Sequence, residues 1–290
     1  MSQIKKTLNN SLQSSWVILK LVIPIYILAD VLYFYNTLSY VAFMVEPFTS
    51  ILGLPPEASM AIISGMFLNL YAAVAFAAPL DLSPQQWSIL AVYLGICHSL
   101  IVESLIMKKI GISNIYSYLF RFISALLVAY LTTLIPASWF ETADAVSSFE
   151  KTTYDSLTAL FIGSFFSAII LSAKIIALVT TLIFIMDFIK SRPFMRNSHK
   201  NIAPIFSLIT GIFLGITYGA AVLIKEAEAL SKYQLFFIAT FLMVCHAIIE
   251  DTLLFVIFGA DFTLVIAIRT VAAIILSFVL LSIYRYADKS

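Results

Sequence analysis

The feature that most constrains the fold is a stretch of sequence that occurs twice. Residues 97–121 read CHSLIVESLIMKKIGISNIYSYLFR, and residues 245–269 read CHAIIEDTLLFVIFGADFTLVIAIR. The two stretches align without a gap, which matches Cys97 with Cys245, His98 with His246, Glu103 with Asp251, Gly111 with Gly259 and Arg121 with Arg269. A histidine, an acid, a glycine and an arginine rarely match in register by chance within apolar sequence. An internal repeat of this kind constrains the whole architecture, and it predicts two related halves.

The composition indicates the solvent in which these halves fold. Hydrophobic residues make up 61% of the chain and charged residues 11%, whereas a soluble domain carries roughly a quarter charged residues. We therefore expect an all-α integral membrane protein that crosses the cell (inner) membrane several times. The net charge of +1 indicates no nucleic-acid partner. The sequence has no soluble-length stretch for an enzyme domain and no phosphate-binding glycine loop, so we expect no enzymatic activity.

About eight stretches are long and apolar enough to span a bilayer, which takes about 20 residues in a helix. They cover residues 14–35, 57–79, 84–107, 115–135, 156–188, 202–224, 233–258 and 262–284. We predict a first repeat over 1–140 and a second over 156–290, with an acidic linker at 141–155 between them. Residues 37–54 are apolar but interrupted by a Glu-Pro pair, and we expect them to be interfacial or re-entrant.

The order of the spans predicts how the two halves are related. YILADVLY around Asp30 resembles FIMDFIKS around Asp187, and in the next span SGMFLNLYAAVA resembles TGIFLGITYGAA. Because four spans return the chain to its starting side, we predict two parallel four-helix repeats about an axis along the membrane normal. The basic cluster at 190–200 favours a cytoplasmic position. The N-terminal lysines then lie outside, unless 37–54 also crosses the membrane.

Charged residues within the spans need partners, because an ionised side chain at mid-membrane costs roughly 2.5–3.5 kcal/mol on insertion scales. Glu103 precedes Gly111 and Arg121 follows it, so the two lie at similar depth across a tight helix hairpin. Asp251 and Arg269 repeat this arrangement. We predict the ion pairs Glu103–Arg121 and Asp251–Arg269, which either lock each hairpin or take part in transport. An acid neutralised by an arginine is poorly suited to hold a cation.

The two histidines are the sharpest candidates for a site. On a continuous helix, His246 and Glu250 are four residues apart and share a face, whereas Asp251 points elsewhere. The first half has Val102 at the position of Glu250, so the two halves are not chemically equal. A histidine one turn from a carboxylate relays protons or binds a divalent metal, and we predict His98, His246 and Glu250 as metal ligands. A structural hydrogen bond between helices is the alternative.

The repeated Cys-His pair, followed by an acid, a glycine and an arginine, resembles the nucleoside-recognition or Gate-domain family of membrane proteins. That family takes in spore-maturation-like proteins and a segment of the membrane domain of the ferrous-iron transporter. By this resemblance the signature positions are His98, Glu103, Gly111, Arg121, His246, Glu250, Asp251, Gly259 and Arg269. The family name implies nucleosides as solutes, and Val102 departs from a pattern with two identical acid pairs.

The expected function is a transporter or channel that moves a cation or a small polar solute through a site formed by the two His-acid helices. The residues expected to bind the solute are His98, Glu103, His246, Glu250 and Asp251. Weaker candidates along the path are Asn69, Tyr71, Thr217 and Tyr218. The cofactor is unknown, a divalent metal ion is one option for the substrate, and the partners are the lipid bilayer and optionally a second copy of the chain. The alternative is a non-transporting membrane scaffold whose buried charges are structural.

Overall fold

The computed structural model describes residues 2–35, 37, 46–140, 154–190 and 230–288, with single positions and short pieces between 208 and 227. All regular structure in these ranges is helical. The α-helices are α1 (Ser2–Phe34), α2 (Glu46–Ile51), α3 (Ser59–Phe67), α4 (Leu70–Ala77), α5 (Pro84–Cys97), α6 (Leu100–Lys109), α7 (Asn114–Thr133), α8 (Leu157–Lys190), α9 (Lys232–Cys245), α10 (Ile248–Val256) and α11 (Phe262–Ala287). Single 3-10 turns cover Pro56–Ala58 and Ala137–Trp139.

Within the described ranges, six helical stretches are long and apolar enough to cross a membrane. They are Thr7–Phe34, Pro84–Lys109, Asn114–Thr133, Leu157–Ile185, Lys232–Val256 and Phe262–Ala287. Three lie in the first half of the chain and three in the second. This part of the chain therefore supports an all-α membrane protein, with six of the eight predicted spans present as membrane-length helices.

The predicted second span, residues 57–79, is wrong as a single crossing because it folds as the two short helices α3 and α4. Helix α3 ends at Phe67 and α4 begins at Leu70. The side chain of Asn69 between them accepts a hydrogen bond from the Ala72 amide and so caps α4. Neither helix has the roughly 20 residues that a crossing takes, and the two pack against each other.

The contacts of α5 show the direction of this helix pair. Gln86 at the beginning of α5 donates a hydrogen bond to the carbonyl of Gly53, just before α3, at 2.9 Å. Near the other end, the Ser99 amide donates to the carbonyl of Gly65 at 2.9 Å. Helices α3 and α5 therefore run in the same direction, and α4, which joins them, must run back. The hydropathy of a helix does not depend on the direction in which it runs. The apolar pattern alone therefore does not reveal that α4 runs back against α3.

The predicted third and seventh spans are each broken near the middle. Helices α5 and α9 both begin with a serine–glutamine capping box and both end at the Cys-His pair. His98 and His246 have extended backbones, and the next residues, Ser99 and Ala247, have left-handed φ angles of 44° and 43°. A left-handed residue ends an α-helix, so α6 and α10 are separate helices that start after the break.

Helices α1 and α8 pack along their length in opposite directions. The Thr7 hydroxyl donates a hydrogen bond to Asp187 at 2.5 Å, and the Ser164 hydroxyl donates to Asp30 at 2.5 Å. These helices are equivalent in the predicted repeats, and an axis along the membrane normal would make them run in the same direction. The predicted parallel orientation of the repeats is therefore wrong. Because α3–α4 doubles back, the described residues of the first half contain three membrane-length helices, an odd number, which agrees with the reversed direction of α8.

The hairpins α5–α7 and α9–α11 also run antiparallel to each other. Near the beginning of α5, Trp87 stacks on Phe258 with ring centroids 4.7 Å apart, close to the turn that precedes α11. Near the turn that precedes α7, Tyr116 packs on Phe236 of α9 at 5.3 Å. The start of each hairpin therefore faces the turn of the other, and the two breaks meet between them.

Several predicted features lie outside the described residues. They are positions 38–45 of the segment 37–54, positions 141–153 of the acidic linker, the basic cluster at 191–200, and most of the predicted span 202–224 with Thr217 and Tyr218. The described part of 37–54 contains the short helix α2, whose six residues are too few for a crossing.

Candidate functional site

Arginine side chains hold the two breaks in place. The last carbonyls of a helix have no partner within the helix. Arg121 donates hydrogen bonds to the carbonyls of Ile96 at 2.8 Å and His98 at 2.7 Å. Both arginines of the repeat are fully buried, with Arg121 and Arg269 at 0% exposure. A positive charge at a helix C-terminus is favourable, so Arg121 stabilises the end of α5.

Arg269 does the same for α9 and also reaches the other hairpin. It donates to the carbonyls of Val244 at 3.2 Å and His246 at 2.9 Å. A further hydrogen bond of 2.6 Å joins Arg269 to the carbonyl of Gly95 in α5. A Cβ atom at Gly95 would lie 2.7 Å from the guanidinium carbon, so this approach requires glycine. The sequence does not predict this contact. The one signal is that the second repeat has Met243 at the position equivalent to Gly95, so the repeats differ there.

The two histidines face each other across the meeting point of the breaks. Their ring centroids are 5.1 Å apart. His98 Nδ1 lies 2.8 Å from the Leu94 carbonyl and His246 Nδ1 lies 2.8 Å from the Leu242 carbonyl. A carbonyl oxygen only accepts, so Nδ1 of each ring carries a proton. In the neutral imidazole, Nε2 is then left with a free lone pair, the form that binds metals.

Glu103 brings a carboxylate to both histidines. Its Oε1 lies 3.4 Å from His98 Nε2 and its Oε2 lies 3.1 Å from His246 Nε2. The same carboxylate forms the predicted ion pair with Arg121, with an Nη2–Oε2 distance of 2.6 Å. His98, Glu103 and His246 are all buried, and each offers one ligand atom within 4.8 Å of the others. This cluster joins the two hairpins, since Glu103 belongs to the first and His246 to the second.

The predicted pairing of His246 with Glu250 on one helix face is not what the structure shows. His246 lies at the end of α9, whereas Glu250 lies in α10 beyond the left-handed Ala247. The four-residue spacing applies only to a continuous helix, so it does not place the two side chains one helical turn apart, although both line the same cavity. The acid beside both histidines is Glu103, which the sequence pattern pairs with Arg121 alone.

The second ion pair is present but longer than the first. Asp251 Oδ2 lies 3.5 Å from Arg269 Nη2, whereas the equivalent distance from Glu103 to Arg121 is 2.6 Å. Both partners are buried. Asp251 has one methylene fewer than Glu103, and its carboxylate belongs with Arg269 rather than with the histidines.

A cavity of about 160 Å³ opens beside the histidine–carboxylate cluster. Every residue predicted to bind the solute lines it, namely His98, Glu103, His246, Glu250 and Asp251. Of the weaker candidates, Asn69 and Tyr71 line it as well, while Thr217 and Tyr218 lie outside the described residues. The two predicted ion pairs, the histidines and Glu250 thus lie in one place.

Three helices begin at this cavity. Their N-cap residues, Asn69 of α4, Ser99 of α6 and Ala247 of α10, all line it. The N-terminus of a helix carries a partial positive charge that stabilises carboxylates. Glu103 lies in the first turn of α6, and Glu250 and Asp251 lie in the first turn of α10. The breaks therefore place three acids at helix ends that stabilise them in apolar surroundings.

Comparison with known proteins supports the membrane assignment. The chain is 29% identical over 279 residues to "Uncharacterized membrane protein YvoD" of Bacillus subtilis (strain 168), a match that covers 91% of this chain and 89% of that protein. No protein-family model matches the chain, and no solved structure matches it. The protein is a membrane protein with several apolar helices, and its likeness to the nucleoside-recognition family stays a prediction.

Proposed function

We propose that the protein is a membrane transporter that carries a cation or another small polar solute through the cavity where its two broken helices meet. The observation that carries this proposal is the cluster of His98, Glu103 and His246, which is buried among apolar helices yet lines a cavity. Ionisable residues inside a membrane are costly and usually mark a solute pathway. Discontinuous helices that meet at the interface of two repeats are the usual setting for such sites.

The charges around the cavity favour a cation. Two acids are matched by arginines, Glu103 by Arg121 and Asp251 by Arg269. Glu250 also lines the cavity, so the carboxylates exceed the arginines by one when Glu250 is ionised and the histidines are neutral. One excess negative charge suits a transported cation, because transport requires binding that is favourable but still reversible.

The volume of the cavity favours a small solute. A cavity of about 160 Å³ has room for about five water molecules at roughly 30 Å³ each. Pockets for drug-sized ligands measure about 300–1,000 Å³. The cavity thus fits a partly hydrated ion better than a nucleoside, the solute that the family resemblance implies.

The antiparallel contacts suggest how the solute could cross. Equivalent helices exchange reciprocal hydrogen bonds between Thr7 and Asp187 and between Ser164 and Asp30. The proposal therefore treats the two halves as inverted repeats of three crossing helices each, in place of two parallel four-helix repeats. Inverted repeats support alternating access, because either half can rock against the other around a fixed central site.

A scaffold without transport activity is the second candidate, and one observation favours it. Arg121 and Arg269 donate most of their hydrogen bonds to backbone carbonyls, which is a structural role. That role explains the arginines and their acids. It does not explain two histidines that line a cavity beside a carboxylate, and transport therefore fits the site better.

Accessibility from the two sides of the membrane tests transport whatever the solute is. In a Cys97→Ala/Cys245→Ala background, Glu250→Cys places one thiol in the cavity. Alternating access predicts that an impermeant thiol reagent labels this cysteine in both right-side-out and inside-out vesicles. Ala125→Cys, at a buried position in α7, is the matched control and is expected to stay unlabelled. Labelling of Glu250→Cys from one side only, or from neither, would contradict the proposal.

A further inference from the structure

We propose that the solute is a divalent transition-metal ion and that His98 Nε2, His246 Nε2 and the Glu103 carboxylate bind it. This assignment of the ion as cargo rests on the proposed transport function, whereas the binding itself can be measured independently. The site differs from the set predicted from the sequence, because Glu103 takes the place of Glu250. It also requires both hairpins, since neither supplies all three ligands.

The spacing of the ligand atoms matches one metal ion. Nitrogen and oxygen ligands lie about 2.0–2.2 Å from a zinc-like ion, so two ligands of the same ion are about 3–4 Å apart. The carboxylate of Glu103 lies 3.4 Å from His98 Nε2 and 3.1 Å from His246 Nε2. All three ligand atoms lie within 4.8 Å of one another. A small closure of the two rings would complete three metal bonds.

One ligand atom of this cluster lacks a well-oriented partner within the protein. His246 is 1% exposed, and its Nε2 makes no hydrogen bond of proper angle to any described group. Glu103 Oε2 lies 3.1 Å from this nitrogen and forms an ion pair with Arg121 Nη2 at 2.6 Å. A buried polar atom without a partner costs free energy. A metal ion bound by His246 Nε2 and the Glu103 carboxylate would give the nitrogen a partner.

The surroundings orient the ligands as metal sites require. The carbonyls of Leu94 and Leu242 each accept the Nδ1 proton of a histidine, which fixes the ring and exposes Nε2. Arg121 holds the Glu103 carboxylate, and a carboxylate has enough lone pairs to accept both an arginine and a metal. Three protein ligands leave a coordination position open toward the cavity. An open position allows the ion to exchange ligands, which a transported ion needs and a permanently bound structural ion does not.

The donor set selects the class of ion. Imidazole nitrogens favour zinc, iron, nickel and copper, whereas magnesium and calcium prefer sites made only of oxygen ligands. Two imidazoles and one carboxylate form the ligand set of many zinc and ferrous-iron centres. We therefore expect Zn²⁺ and Ni²⁺ to bind, and Mg²⁺ and Ca²⁺ not to bind at the same concentrations.

The test is calorimetric titration of the full chain, purified in detergent and stripped with a chelator, with Zn²⁺, Ni²⁺ and Mg²⁺. The site predicts one Zn²⁺ per chain. His246→Asn keeps a donor for the Leu242 carbonyl but removes Nε2. It is expected to weaken Zn²⁺ binding about 100-fold or more, since even the loss of a residue that only hydrogen-bonds to a metal ligand costs 10–100-fold. His98→Asn is expected to do the same, which keeps the test open if one variant fails to fold. Asp30→Asn, at a buried acid that does not line the cavity, is the matched control, with a change below about tenfold.

The outcomes separate this site from its alternatives. Failure of Zn²⁺ and Ni²⁺ to bind would overturn it and leave a hydrogen-bonded cluster or proton relay. Loss of binding in Glu250→Gln with normal binding in both histidine variants would overturn it in favour of another ligand set. Failure of the metal site and failure of transport are distinguishable, because labelling of Glu250→Cys from the two sides uses no metal. Binding with one-sided labelling would sustain the site and contradict transport.

Discussion

The two hairpins have the same backbone plan but different chemistry. Each begins with a capping box, breaks after a Cys-His pair at a left-handed residue, and ends with an arginine that binds the carbonyls of the break. In the first hairpin, Glu103 is long enough to reach its arginine and both histidines. In the second, Asp251 pairs with Arg269 at the longer distance of 3.5 Å. Repeated residues thus build a repeated scaffold, and one methylene decides which hairpin supplies the ligand.

A second difference between the hairpins concerns their arginines. Arg269 crosses to the Gly95 carbonyl of the first hairpin. The equivalent of Gly95 in the second hairpin is Met243, and among the hydrogen bonds of the described residues Arg121 bonds only to carbonyls of its own hairpin. Arg121 therefore holds one break, while Arg269 holds a break and also joins the hairpins. The following predictions test these differences.

The largest effect is expected from the buried arginines. Arg121→Gln and Arg269→Gln each leave a buried acid and several carbonyls without their partner, and breaking a buried ion pair costs about 3–5 kcal/mol. Each variant is expected to lose most of the stability measured by thermal unfolding in detergent. Arg285→Gln, at an exposed position near the C-terminus, is the control and is expected to cost below about 1 kcal/mol. Equal stabilities for the buried and exposed variants would show that the arginines do not hold the breaks.

A smaller effect is expected where Arg269 joins the hairpins. Gly95→Ala puts a methyl group 2.7 Å from the guanidinium carbon, and overpacking of this kind costs about 1–3 kcal/mol. The clash disappears when the guanidinium is removed, so Gly95→Ala is expected to cost less in an Arg269→Ala background. Thermal unfolding of the two single variants and the double variant measures this coupling. Additive losses would contradict the contact.

The difference in side-chain length predicts a change in metal affinity. Glu103→Asp withdraws the carboxylate from the histidines, and we expect about tenfold weaker Zn²⁺ binding, the lower end of the effect of altered metal surroundings. Asp251→Glu lengthens the acid of the other hairpin and is the matched control, with affinity expected to change by less than about threefold. Calorimetric titration compares the two variants. A stronger effect of Asp251→Glu would place the ligand in the second hairpin.

The smallest effect is expected at the reciprocal hydrogen bonds between α1 and α8. Ser164→Ala and Thr7→Val each remove the hydroxyl that binds an acid of the other helix. A net hydrogen bond contributes about 1 kcal/mol, and thermal unfolding is expected to report a loss of that size for each variant. Ser282→Ala is the control, since its exposed hydroxyl bonds only within its own helix. Losses no larger than that of the control would argue against the antiparallel pairing.

The sequence is sufficient to predict the class of protein and much of the site. The apolar composition alone is sufficient to predict a membrane protein. The pairing of Glu103 with Arg121 follows because two charges at one depth of a hairpin need each other. His98, His246 and the acids lie around one cavity because the repeat places each at the same point of its hairpin.

What the sequence does not predict depends on reversals of the chain. Asn69 is the one signal for the α3–α4 reversal, since a capping residue in an apolar run indicates a helix start, yet its polar side chain fits the lining of a continuous span equally well. Ser99 and Ala247 adopt left-handed backbones without being glycine, and no propensity rule predicts such a break. The antiparallel meeting of the two hairpins then brings Glu103 within 3.1 Å of His246.

Cross-linking measures most directly whether the hairpins meet as described. In the Cys97→Ala/Cys245→Ala background, Ser88→Cys with Asp261→Cys joins positions whose Oγ and amide nitrogen lie 2.8 Å apart. Phe236 occupies the position of the second repeat that is equivalent to Ser88, so Ser88→Cys with Phe236→Cys is the matched pair for parallel hairpins. We predict an oxidative disulfide, mapped by mass spectrometry, in the 88–261 pair and none in the 88–236 pair. A disulfide in the 88–236 pair alone would contradict the antiparallel meeting of the two breaks and with it the shared site.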